Sequence, residues 1–122
     1  MTNSNVVLFP TANEYGVKTK FNGAENRDEI LFPNGWKISV IWGAGTYSDN
    51  YNSRDWEVQL PYPQWGKVEA AVLNPEGEVF YGDYYDVFGY VTPQWIRASL
   101  VPAVSKLDKG EEVSLYEIAY EE

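Results

Sequence analysis

The chain contains neither histidine nor cysteine. The commonest general base, the commonest nitrogen ligand for a metal and the thiol nucleophile are therefore all missing. Ser-His-Asp and Cys-His sites are excluded. What remains for chemistry is carboxylate, chiefly Asp83 with Asp86 and Asp49 with Asp55, each pair set among aromatic residues. Two carboxylates beside aromatic rings are the equipment of a glycoside hydrolase. Aspartates flanked by Gly and Tyr more often shape a turn or stay solvated, so these are read as loop residues and the chain as non-enzymatic. Oxygen-only metal binding through Asp49, Asn50 and Asp55 would lack the alternation and closing Glu of a calcium loop. Gly43-Ala44-Gly45 lacks the third glycine, the Gly-Lys-Ser/Thr ending and the following helix of a phosphate-binding loop. No metal and no cofactor is expected.

The unusual feature is an aromatic content of 16%, with ten Tyr and five Trp. Such side chains offer large, rigid contact area with a polar tip. Trp36, Trp42 and Phe80 occupy strand-alternating positions and are expected in the core. Tyr47, Tyr51, Trp65, Tyr84 and Tyr85 lie instead among Gly, Pro, Asn and Asp, most of them in two loops, Gly43 to Ser53 and Gly82 to Tyr90. Together with Asp49, Asn50, Asp83 and Asp86 they form the candidate binding set. Exposed aromatics flanked by acids suit hot-spot contacts with a basic protein surface, or stacking on a planar ligand.

The elements that must position these loops are short strands. Val6 to Phe9 and Tyr15 to Phe21 read as strands, and the polar stretch Asn22 to Glu29 as a loop. Asn34-Gly35 between two apolar runs signals a tight hairpin turn. Trp36, Ile38, Val40 and Trp42 then share one strand face. Trp56 to Leu60 reads as a strand, as does Lys67 to Leu73 with Val68, Ala70 and Val72 inward. Asn74-Pro75-Glu76-Gly77 should turn the chain back into Glu78 to Tyr81 as a hairpin partner. A helix follows over about 93–109, with Thr92 as N-cap, Pro93 at its first position and Ile96, Leu100, Val104 and Leu107 on its apolar face. Pro102 should kink or break it near Leu100, and Lys109-Gly110 should close it. In 112–120 Tyr116, Ile118 and Tyr120 alternate as in a strand, the favoured reading, while Leu115, Ile118 and Ala119 would suit a helix face. The expected fold is α+β, a mainly antiparallel sheet of about six or seven short strands with one helix packed on it.

At 122 residues a single domain spanning 1–122 is expected. Eighteen acidic against nine basic residues give a net charge of −9, which opposes direct nucleic-acid binding and favours basic partners. With no cysteines, no basic, apolar N-terminal leader and no apolar run near the ~20 residues of a membrane span, a cytoplasmic protein away from membranes is expected. A homo-oligomer is left open.

Pro33-Asn34-Gly35-Trp36-Lys37-Ile38-Ser39-Val40-Ile41-Trp42-Gly43-Ala44-Gly45-Thr46-Tyr47-Ser48-Asp49-Asn50, then Val68-Glu69-Ala70-Ala71-Val72, then Gly89-Tyr90-Val91-Thr92-Pro93, resemble small accessory proteins of tailed phages and prophages. The likeness covers about half the chain and departs from that pattern at Pro102. It implies a non-enzymatic protein that binds and inhibits or sequesters a host factor, including an anti-phage defence factor, in the host cytoplasm. An acidic surface supports this by occupying a basic cleft evolved for nucleic acid. Two alternatives stand beside it: a small-ligand-binding domain, either a sponge for a nucleotide signal or a carbohydrate-binding module, and a minor structural protein of a virion.

Overall fold

The structure, a computed structural model, describes residues 15–22, 27–42, 46 and 67–119. The strands expected at Val6 to Phe9 and Trp56 to Leu60 lie outside these residues. The described strands are β1 (Lys18–Asn22), β2 (Arg27–Leu31), β3 (Lys37–Ile41), β4 (Val68–Leu73) and β5 (Phe88–Val91). They form one antiparallel sheet in the order β1-β2-β3-β4-β5. A 16-residue helix follows in the C-terminal half, so the fold is α+β with five described strands.

Alternation decides which face is buried. Ile30 pairs with Ile38 and Ile38 with Val72, while Val40 pairs with Ala70. All five are buried, with Trp42 beside them. The intervening Glu29, Lys37, Ser39 and Glu69 occupy the outer face, where Glu29 Oε2 lies 4.0 Å from both Arg27 Nη1 and Lys37 Nζ. Ion pairs this long and exposed contribute little to stability. Asn22 to Glu29 is not all loop, because Arg27, Asp28 and Glu29 belong to β2. The apolar signal is missing there because the inward residue of that segment is the buried Asp28.

The two hairpin signals share one design. In Phe32-Pro33-Asn34-Gly35-Trp36 the Gly35 amide donates to Phe32 O and the Phe32 amide to Trp36 O. In Asn74-Pro75-Glu76-Gly77-Glu78 the Gly77 amide donates to Asn74 O and the Asn74 amide to Glu78 O. Each is a three-residue loop whose third residue is a left-handed glycine, Gly35 at φ 109° and Gly77 at φ 82°, so the first is not the two-residue Asn-Gly turn. The loops sit side by side at one end of the sheet, and a Cβ on Gly35 would come within 3.1 Å of Pro75 Cβ. After the second loop Glu78 to Tyr81 does not form the expected strand. It makes a single bridge, Val79 with Leu73, and then departs. Phe88–Val91, expected within a loop, takes the place beside β4 instead.

The helix begins as expected. Thr92 Oγ1 accepts from the Trp95 amide and Pro93 opens α1 (Pro93–Trp95). It runs on through a π turn (Ile96–Leu100) into α2 (Val101–Asp108) without the break expected at Pro102. The Val101 amide reaches back five residues to Ile96 O. That widened turn leaves Pro102 in the first turn of α2, where a missing amide costs least. Gly110, at φ 89°, donates to Leu107 O and Glu111 to Lys106 O, closing the helix as a Schellman motif. The preceding Asp108 carboxylate accepts from the Asn34 and Trp36 amides while Asn34 Nδ2 donates to Asp108 O. A carboxylate at a helix C-terminus opposes the helix dipole; these bonds offset that and fasten the helix end to the first hairpin loop. The expected C-terminal strand is instead a short helix, α3 (Leu115–Ala119), whose Leu115 is buried in the core.

The paired loops permit a controlled comparison. Gly77→Ala meets open space and is expected to cost about 1 kcal/mol for its left-handed backbone alone. Gly35→Ala adds the collision with Pro75 and should cost roughly 2–3 kcal/mol by urea denaturation. Equal costs would contradict the close packing of the two loops.

Candidate functional site

The described half of the candidate set starts from a turn at Tyr81 to Tyr84, in which the Tyr84 amide donates to Tyr81 O and Gly82 takes φ 58°. A side chain at Gly82 would press on the Phe80 ring at 3.1 Å. The turn presents Asp83 to the C-terminal segment, where its Oδ2 accepts from Ser114 Oγ and its Oδ1 from the Tyr116 amide. Ser114 Oγ in turn accepts from the Glu117 amide as the cap of α3. The Ser114 hydroxyl, then the Tyr116 amide, hold the Asp83 carboxyl below the usual aspartate range. Asp83 thus ties the turn to α3 while remaining exposed.

Tyr84 and Tyr85 differ in kind. The half-buried Tyr84 stacks on Phe88 at 4.9 Å and 4°, and Phe88 packs on Trp95 at 5.2 Å. Trp95 Nε1 donates to Ile118 O, tying the same ladder to α3. Tyr85 leans on Tyr84 at 5.1 Å but is 77% exposed. Asp86 is exposed, and its Oδ1 accepts from the amide of Val87 in a local turn. A row of rings therefore runs from solvent into the core, with Tyr85 its most exposed member and Tyr84 half-buried behind it. Tyr47, Asp49, Asn50, Tyr51 and Trp65 lie outside the described residues.

Sequence reasoning missed other members of this surface. Tyr81 is 45% and Tyr116 50% exposed, and Val79 and Tyr90 are exposed as well. Tyr81 was assigned to a hairpin strand, and Tyr116 could be placed only once α3 was known to be a helix. Tyr90 has φ 55°, the one positive φ on a non-glycine among the described residues. With the bulge between Val68 and Ala70, it breaks the alternation of β5, so that Phe88 and Val91 both point inward and Tyr90 outward. A bulky residue held there costs on the order of 1–2 kcal/mol. Trp42 is in the core as expected; Trp36 and Phe80 are half-buried against it, edge to face at 5.0 Å.

For the chemistry weighed from the sequence, Asp83 is unsuited to be the proton-donating partner of a carboxylate pair. That role needs a carboxyl raised above its ordinary value, and Asp83 is lowered. Among the described residues there is no cluster of three metal-ligating side chains, and no helix is long and apolar enough to cross a membrane. A shallow groove of about 420 Å³ lies between α2 and the segment that leads into α3, with Pro102, Ala103, Val113 and Ile118 against Lys106, Ser114 and Glu117. Its lining contains no aromatic ring.

Asp83→Ala should free α3 while leaving the sheet intact. Amide protection at Leu115 and Tyr116 is expected to fall several-fold with that of β2 to β4 unchanged; retained protection at both would contradict the anchoring role. Because the Asp83 carboxyl is lowered on folding, its contribution is present above the ordinary aspartate value of about 3.9 and is lost as pH falls through the folded value. Acid should therefore reproduce the variant. No family model, no curated protein and no solved structure matches this chain.

Proposed function

We propose that the chain is a non-enzymatic binding domain that engages a basic protein surface through Tyr81, Tyr85 and Tyr116, displayed around the Asp83 anchor. One observation carries this reading. Every large apolar side chain exposed among the described residues, Val79, Tyr81, Tyr85, Tyr90 and Tyr116, belongs to the stretch 79–90 or to the helix that Asp83 ties to it. Scattered exposure is ordinary, whereas exposure gathered on connected segments marks contact surfaces. Tyrosine is also among the residues that dominate interface energetics.

Charge favours the partner's chemistry. No Lys or Arg occurs between Lys67 and Arg97 or after Lys109, while Glu76, Glu78, Asp83, Asp86, Glu111, Glu112 and Glu117 fall in those segments. Acids beside tyrosine faces complement guanidinium and ammonium groups. The resemblance to phage accessory proteins supports a setting in which the partner is a host factor, inhibited or sequestered at a surface made for nucleic acid. The small-ligand alternative gains less support, since the described groove offers no ring on which a base or sugar could stack.

The test uses the full chain as bait in bacterial lysate, followed by titration of the purified captured protein. Joint replacement of Tyr81, Tyr85 and Tyr116 by Ala is expected to weaken binding at least ~30-fold, as for loss of a hot spot. The unfolding free energy should change by about 0.5 kcal/mol or less per site, and binding of the unaltered chain should fall with added salt. Undiminished binding by the triple variant, or a partner whose affinity ignores salt, would overturn the proposal. Tyr84→Ala serves as the contrast, expected to lower stability by removing its stack on Phe88.

A further inference from the structure

Asp28 stands on the core face of β2, is fully buried, and neither carboxylate oxygen has a hydrogen-bond partner among the described residues. Its pair position on β3 is Val40, its neighbour on the same face of β2 is Ile30, and its pair position on β1 is Phe21. The charges of the adjoining strands, Lys18, Lys20, Arg27, Glu29, Lys37 and Glu69, all occupy outer-face positions by strand alternation. On the helix, Lys106 is exposed and Arg97 partly so, and Asp108 is committed to the Asn34 and Trp36 amides at the far end of β2. No described cation therefore balances an ionised Asp28. Removal of an unpaired charge from water is among the costliest events in a protein interior, and such a group stays neutral instead.

We propose that Asp28 is a proton-operated switch built into the sheet, holding β1 and β2 against β3 while its carboxyl is protonated and loosening them when the proton leaves to water. β1 is where opening costs least. It is an outer strand of the described sheet, with Lys18, Thr19 and Lys20 exposed. Burial pushes the Asp28 carboxyl up to about 7; the nearby Glu29 amide pulls it down, and the Glu29 charge adds a smaller upward push. The rest of the chain makes this position informative. Histidine and cysteine, the side chains that ordinarily titrate nearest neutrality, are both absent. A buried aspartate takes the part that histidine plays elsewhere.

The sign follows from proton counting. Between about 3.9 and about 7 the folded chain holds a proton that the unfolded chain has released. The Asp28 contribution to stability is therefore greatest below that interval, falls as pH rises through it, and levels off above. From pH 5.5 to 8 the folding equilibrium constant should drop roughly 30-fold.

The full chain is followed by the Asp28 13Cγ resonance, by urea unfolding between pH 5.5 and 8, and by amide protection. A carboxyl titration centred near neutrality is expected, with the fall in stability present in the natural sequence and absent from Asp28→Asn. The α-amine titrates only at the top of this range, at about 7.7–8, and is common to both proteins. Protection in β1 and β2 should fall with pH while that of Val101–Asp108 holds. A 13Cγ midpoint in the ordinary aspartate range would overturn the proposal, and this needs no variant to fold. Equal pH slopes in the two proteins, or loss of protection spread evenly over sheet and helix, would overturn it as well.

Discussion

One carboxylate ties together two of the described exposed segments of this protein. Asp83 accepts from the Ser114 hydroxyl and the Tyr116 amide, joining a loop between β4 and β5 to a helix 30 residues further along the chain. Without that tie, α3 would be five residues with a single side-chain cap, far too short to persist by itself. With it, Leu115 fills the core, Ile118 O receives the Trp95 indole, and Tyr116 stands beside the loop that carries Tyr81 and Tyr85.

Behind that surface the rigidity comes from rings. Tyr84, Phe88 and Trp95 stack inward in sequence, each more enclosed than Tyr85 before them. An exposed tyrosine on such a support loses little freedom on binding, which lowers the entropic cost of association. The neighbouring hairpin turns are held differently, by two Pro-x-Gly loops packed against each other and by Asp108 reaching the first of them. The π turn before Pro102 lets the helix continue from Trp95, in the ring ladder, to Asp108.

The sheet, the main helix and its caps were legible because the physics there is local. Ile38, Val40, Val68 and Val72 alternate, Thr92 and Pro93 start a helix, and Gly110 ends it. What was misread had non-local causes. The first half of β2 looked like a loop because its inward residue is an aspartate, acceptable only as a neutral acid in the folded interior. β5 looked like a loop because Tyr90, in a left-handed conformation, breaks the alternation on which recognition of a strand relies. The helix α3 carries local signals, Ser114 as cap and Leu115, Ile118 and Ala119 on one face, but it is so short that the strand alternation competes with them. The tie from Asp83, over 30 positions away, lies outside any window around Leu115. Of the candidate surface, Tyr85 was legible from its acidic, glycine-rich setting, whereas Tyr81 and Tyr116 needed the fold.

One consequence is that the two shifted carboxyls among the described residues act in opposite directions. Asp83 works as an anion and organises the exterior; Asp28 is tolerated as a neutral acid and limits how firmly the sheet is closed. The central claim is that the tyrosines around Asp83 are the contact surface. It is tested most directly by mapping amide protection of the full chain with and without its captured partner. The account predicts new protection in 79–90 together with 115–119; protection confined to the groove residues, read at Ala103, Lys106 and Val113 with 79–90 unchanged, would contradict it.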